Sequence, residues 1–151
     1  MSTRNKIIFS VALLLVVIVL LITKCTKTIS YTYNVETGDK IKITFTTGNG
    51  YKISDSSPFE ITKNGKTLTQ GIFISEDGYE QYIATIPTDE KAKVIETKKK
   101  GDIEYTFYSY DNSEWNYVIK VNDSKTGLLL GNAESEKSAR ECFDRLEIKK
   151  K

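Results

Sequence analysis

The sequence predicts an α+β protein in which an N-terminal transmembrane helix precedes a domain with an antiparallel β-sheet, and a C-terminal amphipathic helix packs on that sheet. Three observations predict this fold class. An apolar run occupies Ile7–Thr23, short blocks of alternating apolar and polar residues follow it, and helical spacing appears near the C-terminus. We expect two parts: a membrane anchor with a short cytoplasmic head at 1–27, and one extracytoplasmic domain at 28–151.

The anchor is predicted from 17 consecutive residues, Ile7–Thr23, that include no charge, glycine or proline. At about 1.5 Å per residue they make a helix of roughly 25 Å, at the short end of what crosses a hydrocarbon core of about 30 Å. The run is apolar on all sides, whereas a surface helix has one apolar stripe. The run is flanked by four basic side chains: Arg4 and Lys6 before it, Lys24 and Lys27 after it. With the terminal amine, the charge before the run is larger, which favours a cytoplasmic N-terminus and a single-pass protein of the cell membrane.

Three other interpretations of the N-terminal segment stay open. A cleaved signal peptide ends in small residues at its cleavage site, and none stand at the end of this run. Cys25 has the position of a lipoprotein cysteine, but Lys24 precedes it where lipoprotein signals have a small residue. We therefore place the uncleaved anchor first, the cleaved signal second and the lipid anchor third. A buried core helix is disfavoured by the uniform apolarity of the run.

Charge and composition exclude several classes of function. All 20 Asp and Glu and 18 of the 22 Lys and Arg lie beyond residue 27, so the domain is about two charges negative although the whole chain is +2. A nucleic-acid partner is not expected, because such binders concentrate basic residues and here the only interior basic run is Lys98–Lys100, which is typical of a solvated turn. The chain has no histidine. This excludes Ser-His-Asp and Cys-His catalysis and zinc-water hydrolases. No metal or cofactor is predicted, since the acidic turns lack the spacing of a calcium-binding loop.

Alternating residues predict the strands. Tyr31–Val35 and Ile41–Phe45 flank a Thr-Gly-Asp turn and predict a hairpin, with residues 26–30 as the tether before it. The frequent turns, many with Asn-Gly or Asp-Gly pairs, favour an antiparallel sheet. The further predicted strands are Phe59–Thr62, Thr67–Ile74, Tyr79–Ile86, Ala92–Thr97, Ile103–Tyr110, Trp115–Val121 and Leu128–Leu130.

A helix covering the sheet is predicted at the C-terminus. The side chains that share one helical face, spaced i, i+3, i+4 and i+7, are Ala139, Cys142, Phe143 and Leu146. Ser135 is the predicted N-cap. Cys142 is expected to be a buried core residue without a disulfide, since Cys25, the other thiol, lies at the membrane exit.

The order of elements in the last third of the chain resembles a known family. The strands Ile103–Tyr110, Trp115–Val121 and Gly127–Gly131 followed by the helix Ser135–Leu146 are similar to the ending of PsbP-like extracytoplasmic domains and of small membrane-anchored proteins of Gram-positive bacteria. The resemblance implies a curved antiparallel sheet with helices. It transfers no functional residue.

Aromatic residues are concentrated in the middle of the domain. Eight lie within 39 positions: Tyr79, Tyr82, Tyr105, Phe107, Tyr108, Tyr110, Trp115 and Tyr117. Alternation in Ile103–Tyr110 puts Tyr108 and Tyr110 on the face opposite the core, and a tight turn follows before Trp115. Tyr108, Tyr110 and Trp115 are therefore the predicted binding residues, because tyrosine and tryptophan are enriched at binding surfaces. The alternative is that tyrosines simply suit sheet positions.

Two classes of function follow from the sequence. The first is a non-catalytic binding or sensing module that recognises a protein, a peptide or an envelope component through one face of the sheet. The second is a hydrolase or transferase that acts on envelope glycans with carboxylates alone, which Glu76, Asp77, Glu80 and the other acidic turns could supply. We predict the first and no catalytic residue, because the chain has no nucleophile motif. A pocket with two converging carboxylates favours the second.

Overall fold

A computed structural model describes residues 27–151, and the predicted anchor Ile7–Thr23 lies outside them. The strands are Thr28–Asn34 (β1), Lys40–Thr46 (β2), Tyr51–Ile53 (β3), Phe59–Lys63 (β4), Lys66–Ser75 (β5), Ala92–Lys100 (β6), Ile103–Tyr110 (β7), Glu114–Val121 (β8), Thr126–Asn132 (β9) and Leu146–Lys150 (β10). The helices are Glu76–Thr85 (α1) and Glu136–Asp144 (α2), with a 3-10 turn at Ile86–Thr88. In the described part of the chain, neither helix has the length and apolarity that crossing a membrane requires.

The strands form two antiparallel sheets. One has three strands in the order β1-β2-β10, and the other has seven in the order β3-β4-β5-β9-β8-β7-β6. The predicted first hairpin is confirmed, with Tyr31 opposite Ile43. The α+β class is confirmed, but the expectation of a single sheet is wrong, because β10 returns to pair with β2 and not with the larger sheet.

The main core lies between the two sheets. Inner-face residues of β2, such as Ile43 and Phe45, share one buried cluster with Phe107 of β7 and Leu128 of β9. Burying apolar side chains from both sheets supplies the main stabilising free energy.

Helix α2 closes this core as predicted. Ala139, Cys142 and Phe143 are buried, and the Ser135 side chain caps the helix by accepting a hydrogen bond from the Ser138 N–H. Cys142 is a free, buried thiol. Leu146 is buried too, but it begins β10, because the helix ends two residues earlier at Asp144.

Helix α1 covers the second face of the seven-stranded sheet, where the sequence predicted a strand at Tyr79–Ile86. That prediction is wrong. The Ser75 side chain caps the helix by accepting a hydrogen bond from the Gly78 N–H. Two acidic residues in the first turn stabilise the helix by interacting with the positive end of its dipole. Tyr79 and Ile86, seven positions apart, form a second buried cluster with Val118 of β8. Helical spacing was therefore present, but the Asp-Gly pair at 77–78 was interpreted as a hairpin turn.

A buried carboxylate joins the ends of both sheets. Asp39, in the turn after β1, accepts hydrogen bonds from the Lys125 backbone N–H at 2.7 Å and from the Thr126 hydroxyl at 3.0 Å. The ammonium of Lys150 lies 2.9 Å from the same carboxyl group. The hydrogen bond from Lys150, more than any other contact, lowers the pKa of Asp39. Asp39 thus connects the first hairpin with the turn before β9 and with the end of β10.

Candidate functional site: a groove beside helix α1

The groove lies on the second face of the seven-stranded sheet, next to α1, and encloses about 540 Å³. Ile72 of β5 and Leu129 of β9 form its floor, and the aromatic side chains of Tyr82 and Tyr108 line it from α1 and β7. This volume is in the range of small-ligand and peptide side-chain sites.

The pairing of β5 with β9 determines which side chains form the floor of the groove. Ile72 lies directly opposite Leu129, and Gln70 lies opposite Gly131, so all four face the same side. Asn116 of β8 is opposite Gly131 on the other flank. A Cβ atom added at Gly131 would lie 3.3 Å from the Asn116 side-chain oxygen. The absence of a side chain at Gly131 therefore leaves space in the groove at this point.

Two large apolar side chains are left uncovered in the groove. Ile72 is 48% exposed and Tyr82 is 40% exposed. Helix α1 buries the neighbouring Val118 completely but does not extend over β5 at Ile72. Adjacent exposed apolar side chains in a concave surface mark an interaction site.

The polar groups of the groove are suited to hydrogen bonding. Gln70 donates to Glu60 at 3.1 Å. Burial, with Tyr82 and Glu114 as smaller causes, raises the pKa of Tyr108 to about 12. The Tyr108 hydroxyl therefore stays protonated at physiological pH and can donate a hydrogen bond, but it cannot serve as a base there.

The groove continues along β5. A second depression of about 650 Å³ lies beside the turn after β1 and shares Pro58 and Ile72 with the first. The two depressions therefore adjoin at these side chains. Two adjoining depressions can hold successive side chains of one extended peptide.

The three predicted binding residues do not share one surface. Tyr108 lines the groove, and Tyr110 lies two residues further along the same face, opposite Glu114. Trp115 lies opposite Ser109 on the other face and packs against the main core. A three-residue turn at 111–113 sets this register, so the ring of Trp115 points away from the two tyrosines.

Sequence reasoning missed Ile72 and Tyr82. The Ile-Phe-Ile run at 72–74 did signal that both faces of β5 are apolar. It could not show which face lacks a cover, because that depends on where α1 ends. Tyr82 was assigned to a strand and so could not be placed beside β5.

Acidic residues do not converge in the groove. Of the carboxylates of the described chain, Glu114 alone lines the first depression and Glu36 alone lines the second, so neither depression holds a pair. Three carboxyl groups elsewhere have a lowered pKa, each mainly through one hydrogen bond: Asp39 with Lys150, Glu96 with Lys98 and Glu141 with Tyr51. None of these three is therefore an acid held protonated near neutral pH.

Two of the acidic residues that the sequence offered for catalysis lie in helix α1 and have a basic partner. Glu76 and Glu80 lie 3.1 and 3.6 Å from the ammonium of Lys120. Within residues 27–151, no three His, Cys, Asp or Glu side chains come together as metal ligands.

Comparison of the chain with protein-family models, with curated proteins and with solved structures gives no match.

Proposed function

We propose that the chain is a membrane-anchored, extracytoplasmic binding or sensing domain without catalytic activity, and that it holds an extended peptide segment of a partner protein in the groove beside α1. The observation that carries this proposal is the pair of exposed apolar side chains, Ile72 and Tyr82, in one concave surface. Leaving them in water costs free energy that a bound apolar side chain recovers.

The location follows from the N-terminal sequence. Ile7–Thr23 is uncharged and of spanning length, and its flanking charges favour export of the C-terminal part. Only four residues separate this run from β1, which begins at Thr28. The folded domain is therefore held close to the bilayer.

The binding mode follows from the lining. An apolar side chain of the peptide would lie over Ile72 and Leu129 and against the ring of Tyr82. Gln70, Asn116 and the Tyr108 hydroxyl would hydrogen-bond to the peptide backbone, since unpaired backbone groups are costly to bury. A glycan hydrolase is disfavoured because Glu114 and Glu36 line separate depressions and neither depression holds two carboxylates.

Site-specific photo-crosslinking tests the binding proposal. A photoreactive residue replaces Gln70 in the full chain, expressed in the cells that make it. We expect a discrete adduct with a protein. Tyr82→Ala should reduce the adduct about tenfold or more, because truncating a central aromatic residue of an interface costs upwards of about 2 kcal/mol.

The matched control uses Val94, which is 45% exposed on β6 and does not line the groove. Val94→Ala should leave the Gln70 adduct unchanged, and a photoreactive residue at 94 should not capture the same protein. Equal adduct yield from the Tyr82→Ala and Val94→Ala proteins, or no adduct at Gln70, would contradict the proposed function.

Protease accessibility tests the orientation. Protease added to intact cells should digest the part after Lys27 and spare a cytoplasmic marker. Protection of both would show that the domain lies inside the cell.

A further inference from the structure

The outer face of the three-stranded sheet is basic and entirely polar. Ile41, Ile43 and Phe45 of β2 point into the core, so the alternate residues of β2 face outward. On all three strands the outward positions hold Ser, Thr, Asn and Lys, with Glu147 as the single acidic residue.

The lysines of this face cluster at one end. Lys42 lies directly opposite Lys149 in the β2–β10 pairing. Lys40 is two residues away on the same face, and its carbonyl accepts the Lys151 N–H at 2.8 Å. Like charges opposite each other are destabilising. Lys149 has one acidic neighbour, Glu147, at 3.3 Å, whereas Lys40 and Lys42 form no salt bridge within the described residues.

This arrangement contrasts with the domain as a whole, which is about two charges negative. An uncompensated group of lysines on an acidic domain points to an anionic partner. The outward positions carry no apolar or aromatic side chain. The partner is therefore a broad anionic surface and not a ligand that inserts into the face.

We propose that this basic face docks flat on anionic lipid head groups in the outer leaflet of the membrane that holds the anchor. The inference rests on the proposed membrane anchoring. The apolar run ends at Thr23 and β1 begins at Thr28, so the start of β1 lies within about 18 Å of the membrane exit.

The anchor and the lysines hold opposite ends of the same sheet. Thr28 is paired with Thr46 at one end, and Asn34 is paired with Lys40 at the other, six residues further along β1. At about 3.4 Å per residue the two ends are roughly 20 Å apart. An upright sheet would keep the lysines beyond the Debye length of about 8–10 Å, whereas a flat one brings them to the head groups.

The strength of this attraction decides between the two orientations. Each lysine close to an anionic bilayer favours association by about fivefold. Glu147 offsets one of the three lysines, so the face as a whole favours the flat orientation by roughly twenty-fivefold. That bias is enough to dominate the orientation of a domain that is already tethered.

Lysine footprinting of the full chain tests this proposal. The protein is reconstituted into nanodiscs of phosphatidylcholine or of phosphatidylcholine with phosphatidylglycerol, and acetylation rates are measured by mass spectrometry. We expect Lys40, Lys42 and Lys149 to react at least threefold more slowly in the anionic discs, with recovery at 0.5 M NaCl. Lys93 and Lys99 on β6 are internal controls and should react equally in both.

A charge-reversal pair supplies the matched variants. Lys40→Glu with Lys42→Glu should restore fast acetylation of Lys149 in anionic discs, whereas Lys93→Glu with Lys99→Glu should not. Equal acetylation of Lys149 in the two lipids, by a chain that is retained in the discs, overturns the docking proposal and leaves the anchor intact. A chain that is not retained in either disc overturns the anchor itself. Protection by soluble polyphosphate but not by phosphatidylglycerol would assign the face to a phosphate polymer and likewise overturn the docking.

Discussion

Phe143 is the residue whose removal should damage the fold most clearly. It is 3% exposed, its ring stacks on Tyr117 with centroids 4.1 Å apart, and it meets Tyr105 edge-on at 4.7 Å. The Lys100 ammonium lies 4.5 Å from the ring centroid. Phe→Ala in a core costs about 3–5 kcal/mol, and losing two aromatic pairs puts this site in the upper half of that range.

The magnitude can be measured by thermal unfolding. The fragment 27–151 holds every residue of the described core. A loss of about 4 kcal/mol should lower its Tm by roughly 12–20 °C, because 1 kcal/mol corresponds to about 3–5 °C at this size. Phe143→Leu should cost only about 1–2 kcal/mol, since it keeps much of the volume.

Tyr82→Ala, at a 40% exposed aromatic residue, is the control and should lower the Tm by only a few degrees. If Phe143→Ala lowers the Tm by less than about 4 °C, α2 does not close the core as described.

Two further changes test other parts of the core. Gly71→Ala places a Cβ atom so close to the buried ring of Phe59 that the ring must move. We expect urea unfolding to show a loss of about 1–3 kcal/mol in the free energy of unfolding. An unchanged urea midpoint would contradict this packing. The lowered folded-state pKa of Asp39 means that its carboxylate stabilises the fold above its unfolded pKa of about 4, and that this stability is lost as pH falls through the folded value. Asp39→Asn should therefore lower the Tm at pH 7 and flatten its decline on acidification, and parallel pH profiles for the two proteins would refute this role.

Local patterns predicted most of the strands whose partners are close in sequence, although the short strand β3, which pairs with β4, was not predicted. In β7 and β8 every second side chain faces the main core, and the turn between them has positive φ at Asp111 and Asn112, as a tight hairpin requires. The strand β10 was missed although Leu146 and Ile148 alternate correctly, because its partner β2 lies about a hundred residues earlier. Pairing over that distance depends on which surfaces need burial, and a local pattern does not contain that information.

The candidate site was predictable only in part. Alternation placed Tyr108 on the correct face, since the side-chain period of a strand is two. Predicting the groove requires the position of α1. That helix was not predicted, because Gly78 in its first turn is typical of a hairpin turn. The predicted grouping of Trp115 with the two tyrosines assumes that a tight turn brings side chains together, but the pairing of Trp115 with Ser109 puts its ring on the other face of the sheet.

The layer order of the domain places the two proposed surfaces on opposite sides. The three-stranded sheet covers one face of the seven-stranded sheet, and α1 covers the other. A domain that docks through Lys40 and Lys42 thus turns the first depression, which Tyr82 and Tyr108 line, away from the bilayer, where a partner can reach it. The second depression is nearer the lysines, because Asn34, which lines it, is paired with Lys40. Because distant sites act additively, Lys40→Glu with Lys42→Glu should leave the Gln70 adduct unchanged, and Tyr82→Ala should leave the acetylation rate of Lys149 unchanged. Photo-crosslinking at Gln70 and acetylation of Lys149 are both measured in the same nanodisc preparation, with the captured partner added in soluble form. A change of threefold or more in either cross-measurement would show that the surfaces are coupled, which this layer order does not allow.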